Sequence, residues 1–80
     1  NYPNPFNPVT RIRFTLPGRS RVVLQVYDLL GKEVDVLVDG SMEAGSHLLE
    51  WDAAAYAGGV YYCRLSAGGR TSLRKMILLK

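Results

Sequence analysis

Metal ligation and nucleophilic catalysis both need side chains gathered in space, and the groups able to supply that chemistry are few in this chain of 80 residues: one histidine, His47, one cysteine, Cys63, and scattered acids. For a metal the acids to consider are Asp28, Asp35, Asp39, Glu43 and Asp52. Zinc asks for clustered His or Cys, and calcium for a loop of the D-x-D-x-D-G kind. Neither pattern is present, so no metal or cofactor is expected. His47 alternates with Leu49 and Trp51, which predicts a hydrogen-bonded histidine at the edge of a core. Asp52, after Trp51, predicts a turn or cap. A nucleophile needs a positioned base, and Cys63 sits mid-run between Tyr62 and Arg64, where a buried structural thiol is the expectation. Glu50 and Asp52 lie on one strand with nothing to suggest a glycosidase cleft. The pairs Gly58-Gly59 and Gly68-Gly69 match no phosphate-binding loop and are expected at hairpin ends. Tyr27, Tyr56 and Tyr62 are candidates for a sugar-stacking platform; partial burial at or between sheets is the ordinary alternative. The chain is not expected to be an enzyme.

The elements that must position these residues are read from a period close to two. Residues 10–16 place Ile12, Phe14 and Leu16 on one face, and Pro17-Gly18 ends the run. Residues 22–28 place Val22, Leu24 and Val26 together. After Leu30-Gly31-Lys32, residues 33–38 alternate Val34, Val36 and Val38 against Glu33, Asp35 and Leu37, predicting a hairpin. Asp39-Gly40 is then a turn dipeptide, with residues 41–45 an irregular connection. His47, Leu49 and Trp51 share a strand face, residues 52–59 form a loop with at most one helical turn, and Tyr61, Cys63 and Leu65 share the face of the next strand. Residues 71–79 divide into Leu73, Lys75, Ile77 and Leu79 on one side and Ser72, Arg74, Met76 and Leu78 on the other. This predicts an all-β, Ig-like or fibronectin-like antiparallel sandwich of six to seven strands, the seventh a short one around Phe6. One cysteine excludes an internal disulfide, so Trp51 and the tyrosines must join the sheets.

The opening NYPNPFNPVT is rich in proline, which fixes φ and disfavours helix at the residue before it. An extended entry over residues 1–9 with Phe6 as an apolar anchor is expected, followed by one domain over residues 10–80. The missing initiator Met predicts a piece of something longer. A net charge of +3 from ten basic and seven acidic residues, spread along the chain, is weak ground for nucleic-acid binding. Nothing approaches the ~20 apolar residues of a membrane helix. No signal peptide is present, so an exported protein would carry one upstream. The ending RTSLRKMILLK brackets an apolar run with Arg70, Arg74, Lys75 and Lys80, which gives a receptor both a strand edge and charges to read.

Five stretches in order, NYPNPFNPVTRIRFTLP, VVLQVYDLLGKEV, AGSHLLEWDA, GGVYYCRLSAGG and SLRKMILLK, resemble the type A C-terminal sorting domain of the type IX secretion system, a family related to the Ig-like domain of flagellar hook-capping proteins. The likeness covers essentially the whole chain, with Cys63 where an aromatic or aliphatic residue is commoner. The resemblance implies a non-catalytic export address on a cargo protein that precedes it. The cargo crosses the periplasm of a Gram-negative bacterium, and the domain is recognised by an outer-membrane translocon. A sortase-like protease then removes it, and the cargo is released or attached to surface lipopolysaccharide. On this resemblance Arg74, Lys75, Met76, Ile77, Leu78, Leu79 and Lys80 match the closing motif required for export, and the Asn-Pro entry marks the seam with the cargo. An Ig-like accessory module of the hook-cap kind, or a carbohydrate-binding module, is the alternative.

Overall fold

The computed structural model describes residues 9–79. The expected Phe6 anchor, the seventh strand near it, and Lys80 lie outside the described residues. Six strands form two antiparallel sheets: β1 (Val9–Leu16), β2 (Ser20–Asp28), β3 (Glu33–Met42), β4 (Gly45–Asp52), β5 (Gly59–Ala67) and β6 (Arg70–Leu78). β1 pairs with β4, and the other sheet runs β3-β2-β5-β6. This is the Ig-like sandwich that the alternating pattern predicts.

The inward faces follow that pattern on four strands. Ile12, Phe14 and Leu16 from β1 meet Val22, Leu24 and Val26 from β2, with Tyr61 and Cys63 of β5 and Trp51 of β4 completing the core. Removing such apolar surface from water is the main force holding two sheets together. In place of a disulfide an aromatic cluster joins them: Trp51 lies 5.2 Å from Tyr61, edge to face, and 5.4 Å from Tyr56. The phenols are satisfied as well, Tyr56 donating to the Val34 carbonyl at 2.8 Å and Tyr61 to the Ala57 carbonyl at 2.6 Å.

β3 departs from the expectation in three ways. Asp39-Gly40 is no turn: Asp39 pairs with Val23 and Gly40 with Val22 inside the strand, and Gly40 lacks the positive φ that such a turn would use. Only Glu43 and Ala44 then separate β3 from β4, so the irregular connection shrinks to a short crossing between sheets. The face assignment also changes. The register jumps from Leu24↔Val38 to Gln25↔Val36, and from Val26↔Asp35 to Tyr27↔Glu33, leaving Leu37 and Val34 as the extra residues of two β-bulges. Leu37 therefore packs against the core beside Val34 and Val38, while Val36 is exposed. The bulges bring Asp35 to the Trp51 indole, whose Nε1–H donates to Asp35 Oδ2 at 3.1 Å, and Asp35 Oδ1 accepts from the Val36 N–H at 2.8 Å. Strict alternation would turn Asp35 outward and leave the indole N–H unpaired, a loss that costs about 1–3 kcal/mol.

Both ends of the described chain lie at one pole. Val9 pairs with Asp52 at the end of β4, the adjacent Trp51 packs on Tyr61 near the start of β5, and the start of β5 pairs with the end of β6 through Gly59↔Leu78.

Candidate functional site

β6 is an edge strand, and its shape begins with the turn before it. Ala67 pairs with Arg70 across Gly68-Gly69, whose φ angles of 56° and 77° are the left-handed pair that a type I′ hairpin requires and that glycine adopts without strain. In a two-residue hairpin the flanking residues exchange both backbone hydrogen bonds, and such pairs then recur at every second residue. Ala67↔Arg70, Leu65↔Ser72, Cys63↔Arg74, Tyr61↔Met76 and Gly59↔Leu78 are thus the bonded pairs, in a register unbroken along the strand. The N–H groups of Thr71, Leu73, Lys75 and Ile77 point away from β5, toward the open edge.

The predicted recognition residues split across the strand. Met76 and Leu78 are buried core members. Leu73 is 64%, Ile77 62% and Leu79 79% exposed, so the more apolar side of the closing segment faces solvent. Arg74 is on the inward-facing side, where its Nη2 donates to the Arg13 carbonyl of β1 at 3.5 Å. Lys75 sits on the outer face opposite Tyr62. Neither Lys75 nor Arg70 joins an ion pair among the described residues, where the three pairs are Arg11–Glu50, Arg19–Glu43 and Arg21–Asp39.

The residues weighed for other chemistry are placed apart. His47 donates from Nε2 to the Glu43 carbonyl at 2.7 Å and stacks on Phe14 at 5.4 Å, the expected core-edge role. Cys63 is buried; burial pushes its thiol above the usual range, with Arg74 opposing the effect only in part, so it stays a neutral thiol, a poor nucleophile. Asp52 Oδ1 accepts from the Ala54 N–H at 3.1 Å, closing β4 as expected. Among the described residues no three metal-ligating side chains come together. Tyr27 and Tyr62 pair across β2 and β5, but Tyr56 belongs to the Trp51 cluster, so the three tyrosines form no common platform. An open cleft of about 700 Å³ lies at the pole away from the chain ends, between Leu16, Pro17 and the β5–β6 turn. Among the described residues its one ionisable wall residue is Arg70, which by itself supplies no acid–base pair.

Two features escaped sequence reasoning. Leu29 and Leu30, in the β2–β3 turn, are 65% and 92% exposed; adjacent leucines in a turn, where polar residues are usual, were the available signal. The bulges at Val34 and Leu37 had none beyond a run of valines equally compatible with both registers.

No helix among the described residues is long and apolar enough to cross a membrane. No match was found among curated proteins or among solved structures. A family model for the secretion system C-terminal sorting domain matches residues 1–79, which favours export over the accessory-module and sugar-binding alternatives. The chain belongs to this family, as a C-terminal sorting domain that directs an attached cargo to export through the type IX secretion system.

Proposed function

We propose that the outer-membrane translocon reads the domain at β6, by adding a strand of its own to the free edge. The observation that carries this is the continuous row of outward N–H groups on Thr71, Leu73, Lys75 and Ile77, beside exposed apolar side chains and unpaired cations. Strand addition takes affinity from main-chain hydrogen bonds and specificity from alternate side chains. Here those are Leu73, Lys75 and Ile77 on the outer face, extended by Leu79, while Met76 and Leu78 anchor the strand to the core and Arg74 ties it to β1; Lys80 follows in the sequence. The domain acts in binding and not in catalysis. Its cargo reaches it from the periplasm, and residues 1–9 serve as the seam to the sandwich of residues 10–80, where a sortase-like protease separates cargo from address before release or surface attachment.

The test is a reporter with a periplasmic signal peptide fused ahead of residues 1–80, in a host with this secretion system. The reporter should reach the cell surface or medium, and removing Leu79 and Lys80 should hold it in the periplasm. Unchanged export after that truncation refutes the reading, and failure of the intact fusion while folded returns the domain to an accessory role.

A further inference from the structure

The two sheets are unequal, and the difference leaves part of one inward face uncovered. Four strands face two. β1 lies over the β6 side of the larger sheet, where Arg74 reaches the Arg13 carbonyl, and β4 over the β3 side, where Trp51 reaches Asp35. On the inward face of β6, Met76 and Leu78 are buried, but Arg70, Ser72 and Arg74 are exposed. The cleft of about 700 Å³ is the wide end of this gap. Through Leu65 and Ser72 it continues into a narrower recess beside Arg13 and Arg74, so a groove runs along β1 between the sheets.

Both walls of the groove carry means of binding. A strand residue turns its N–H and its C=O to the same side, and so does the residue two further on. The Arg13 carbonyl accepts from β6, so Arg13 and Thr15 present their backbone groups away from β4, as an open strand edge. The opposite wall holds Arg70 and Arg74 on one face of β6, four residues or about 13 Å apart, with Ser72 between them. The half-buried Leu65 and Ala67 form an apolar floor.

The charge beside this groove has one sign. β1, β5 and β6 carry Arg11, Arg13, Arg64, Arg70, Arg74 and Lys75 and no acid, whereas β3 and β4 carry five acids and no lysine or arginine. Among the described residues no carboxylate lines the groove, and Arg13, Arg70 and Arg74 join no ion pair. All three are arginines, whose planar fork fits a carboxylate with two hydrogen bonds.

We infer that this groove binds an extended acidic peptide of a partner protein, which adds a third strand to the smaller sheet at the β1 edge. Two carboxylates four residues apart on one face of that strand meet Arg70 and Arg74, and an apolar side chain midway rests on Leu65 and Ala67. Other occupants fit less well. Residues 1–8 of the chain contain no acid and three prolines, which cannot donate to a ladder. In a second copy the acids are engaged within its own fold: Asp39, Glu43 and Glu50 by arginines, Glu33 by Gln25 and Asp35 by Trp51, and Asp28 and Asp52 by backbone N–H groups. A nucleic acid uses neither the backbone edge nor the apolar floor. The site is separate from the outer edge of β6 and stands whether or not the translocon reads that edge.

The test titrates a fluorescent peptide, GETVTEG, into the full chain at low salt and follows its anisotropy, with protease resistance confirming the fold of each variant. The controls are GQTVTQG, which lacks the charges, and GTEEVTG, whose acids are adjacent. GETVTEG should bind at least about tenfold more tightly than either, and R70A/R74A should weaken it at least about tenfold, because hydrogen bonds between charged groups are the strong ones. T15P removes an N–H that β4 does not use and should weaken binding, while T15A retains it; general charge attraction would not separate the two. Should T15P fail to fold, protection of the Thr15 amide from hydrogen exchange on adding the peptide is measured in its place. Equal binding of GTEEVTG, full binding by folded R70A/R74A or T15P, or an unprotected Thr15 amide overturns the inference. So does failure of GETVTEG to bind the folded native chain, or equally tight binding of a short DNA duplex.

Discussion

The four-stranded sheet ends in two edges built to opposite specifications. At β3 the chain uses two bulges, at Leu37 and Val34, and a carboxylate, Asp35, that takes up the Val36 N–H; Asp39 is held by Arg21 and Glu33 by Gln25. Bulges and charged side chains are among the ways in which sheets refuse a further strand. At β6 there is no bulge: the register is unbroken over nine residues, Leu73 and Ile77 face solvent, and Lys75 joins no ion pair among the described residues. Both edges flank the same core, so the difference is not a matter of stability. One edge is bulged and the other is regular, and the regular one is the edge that the proposed strand addition requires.

The comparison breaks most sharply if β6 is made to resemble β3. The double substitution L73D/I77D puts carboxylates on the open edge at two exposed positions, and export should fall tenfold or more. The melting temperature should drop by only a few degrees, since exposed strand substitutions span ~1 kcal/mol. Surface display and thermal melting of the same protein check this; full export would mean that the edge is not read.

At the bulged edge the effect should fall on the fold. D35A strips the Trp51 indole of its acceptor and the Val36 N–H of its cap, which should cost about 1–3 kcal/mol, or on the order of 4–8 °C in melting temperature per kcal/mol for a domain of this size. Cargo that stays folded should export normally. A thermally unaltered D35A would show that the bulges need no side-chain support.

The smallest effect is a pH dependence. Burial first, with Asp35 and then Tyr61 adding to it, holds the Tyr56 phenol above its ordinary value of 10.0, so folding favours the neutral form. Its contribution is fully present below about pH 10 and is lost as pH rises through the higher folded value. Urea midpoints at pH 9 and pH 11 should therefore fall more for the native protein than for Y56F. Equal falls would show that the phenol does not titrate with folding.

How much was legible from sequence follows the physics of each element. Val22, Leu24 and Val26, or Ile12, Phe14 and Leu16, alternate with polar residues, and a period of two has a single inward solution. His47, Cys63 and Trp51 inherit their roles from that solution. In β3, valine and leucine occupy both faces, so only tertiary demands, the Trp51 N–H above all, choose the register. Asp39-Gly40 misleads because its composition suits a turn while cross-strand pairing with Val23 and Val22 holds it extended. In β6 the alternation was visible, but which side faces solvent depends on what lies across the sandwich, and the groove beside Arg70, Ser72 and Arg74 emerges only from how β1 lies over the larger sheet.

The claim that β6 is read through its backbone is tested most directly at Lys75, whose N–H points away from β5. K75P removes that donor while sparing the bonded pairs with β5, as edge strands tolerate; K75A removes only the side chain. Surface display of the two, with protease resistance measured to confirm folding, should show K75A exported and folded K75P held in the periplasm. Export of folded K75P at the level of K75A would contradict strand addition at this edge.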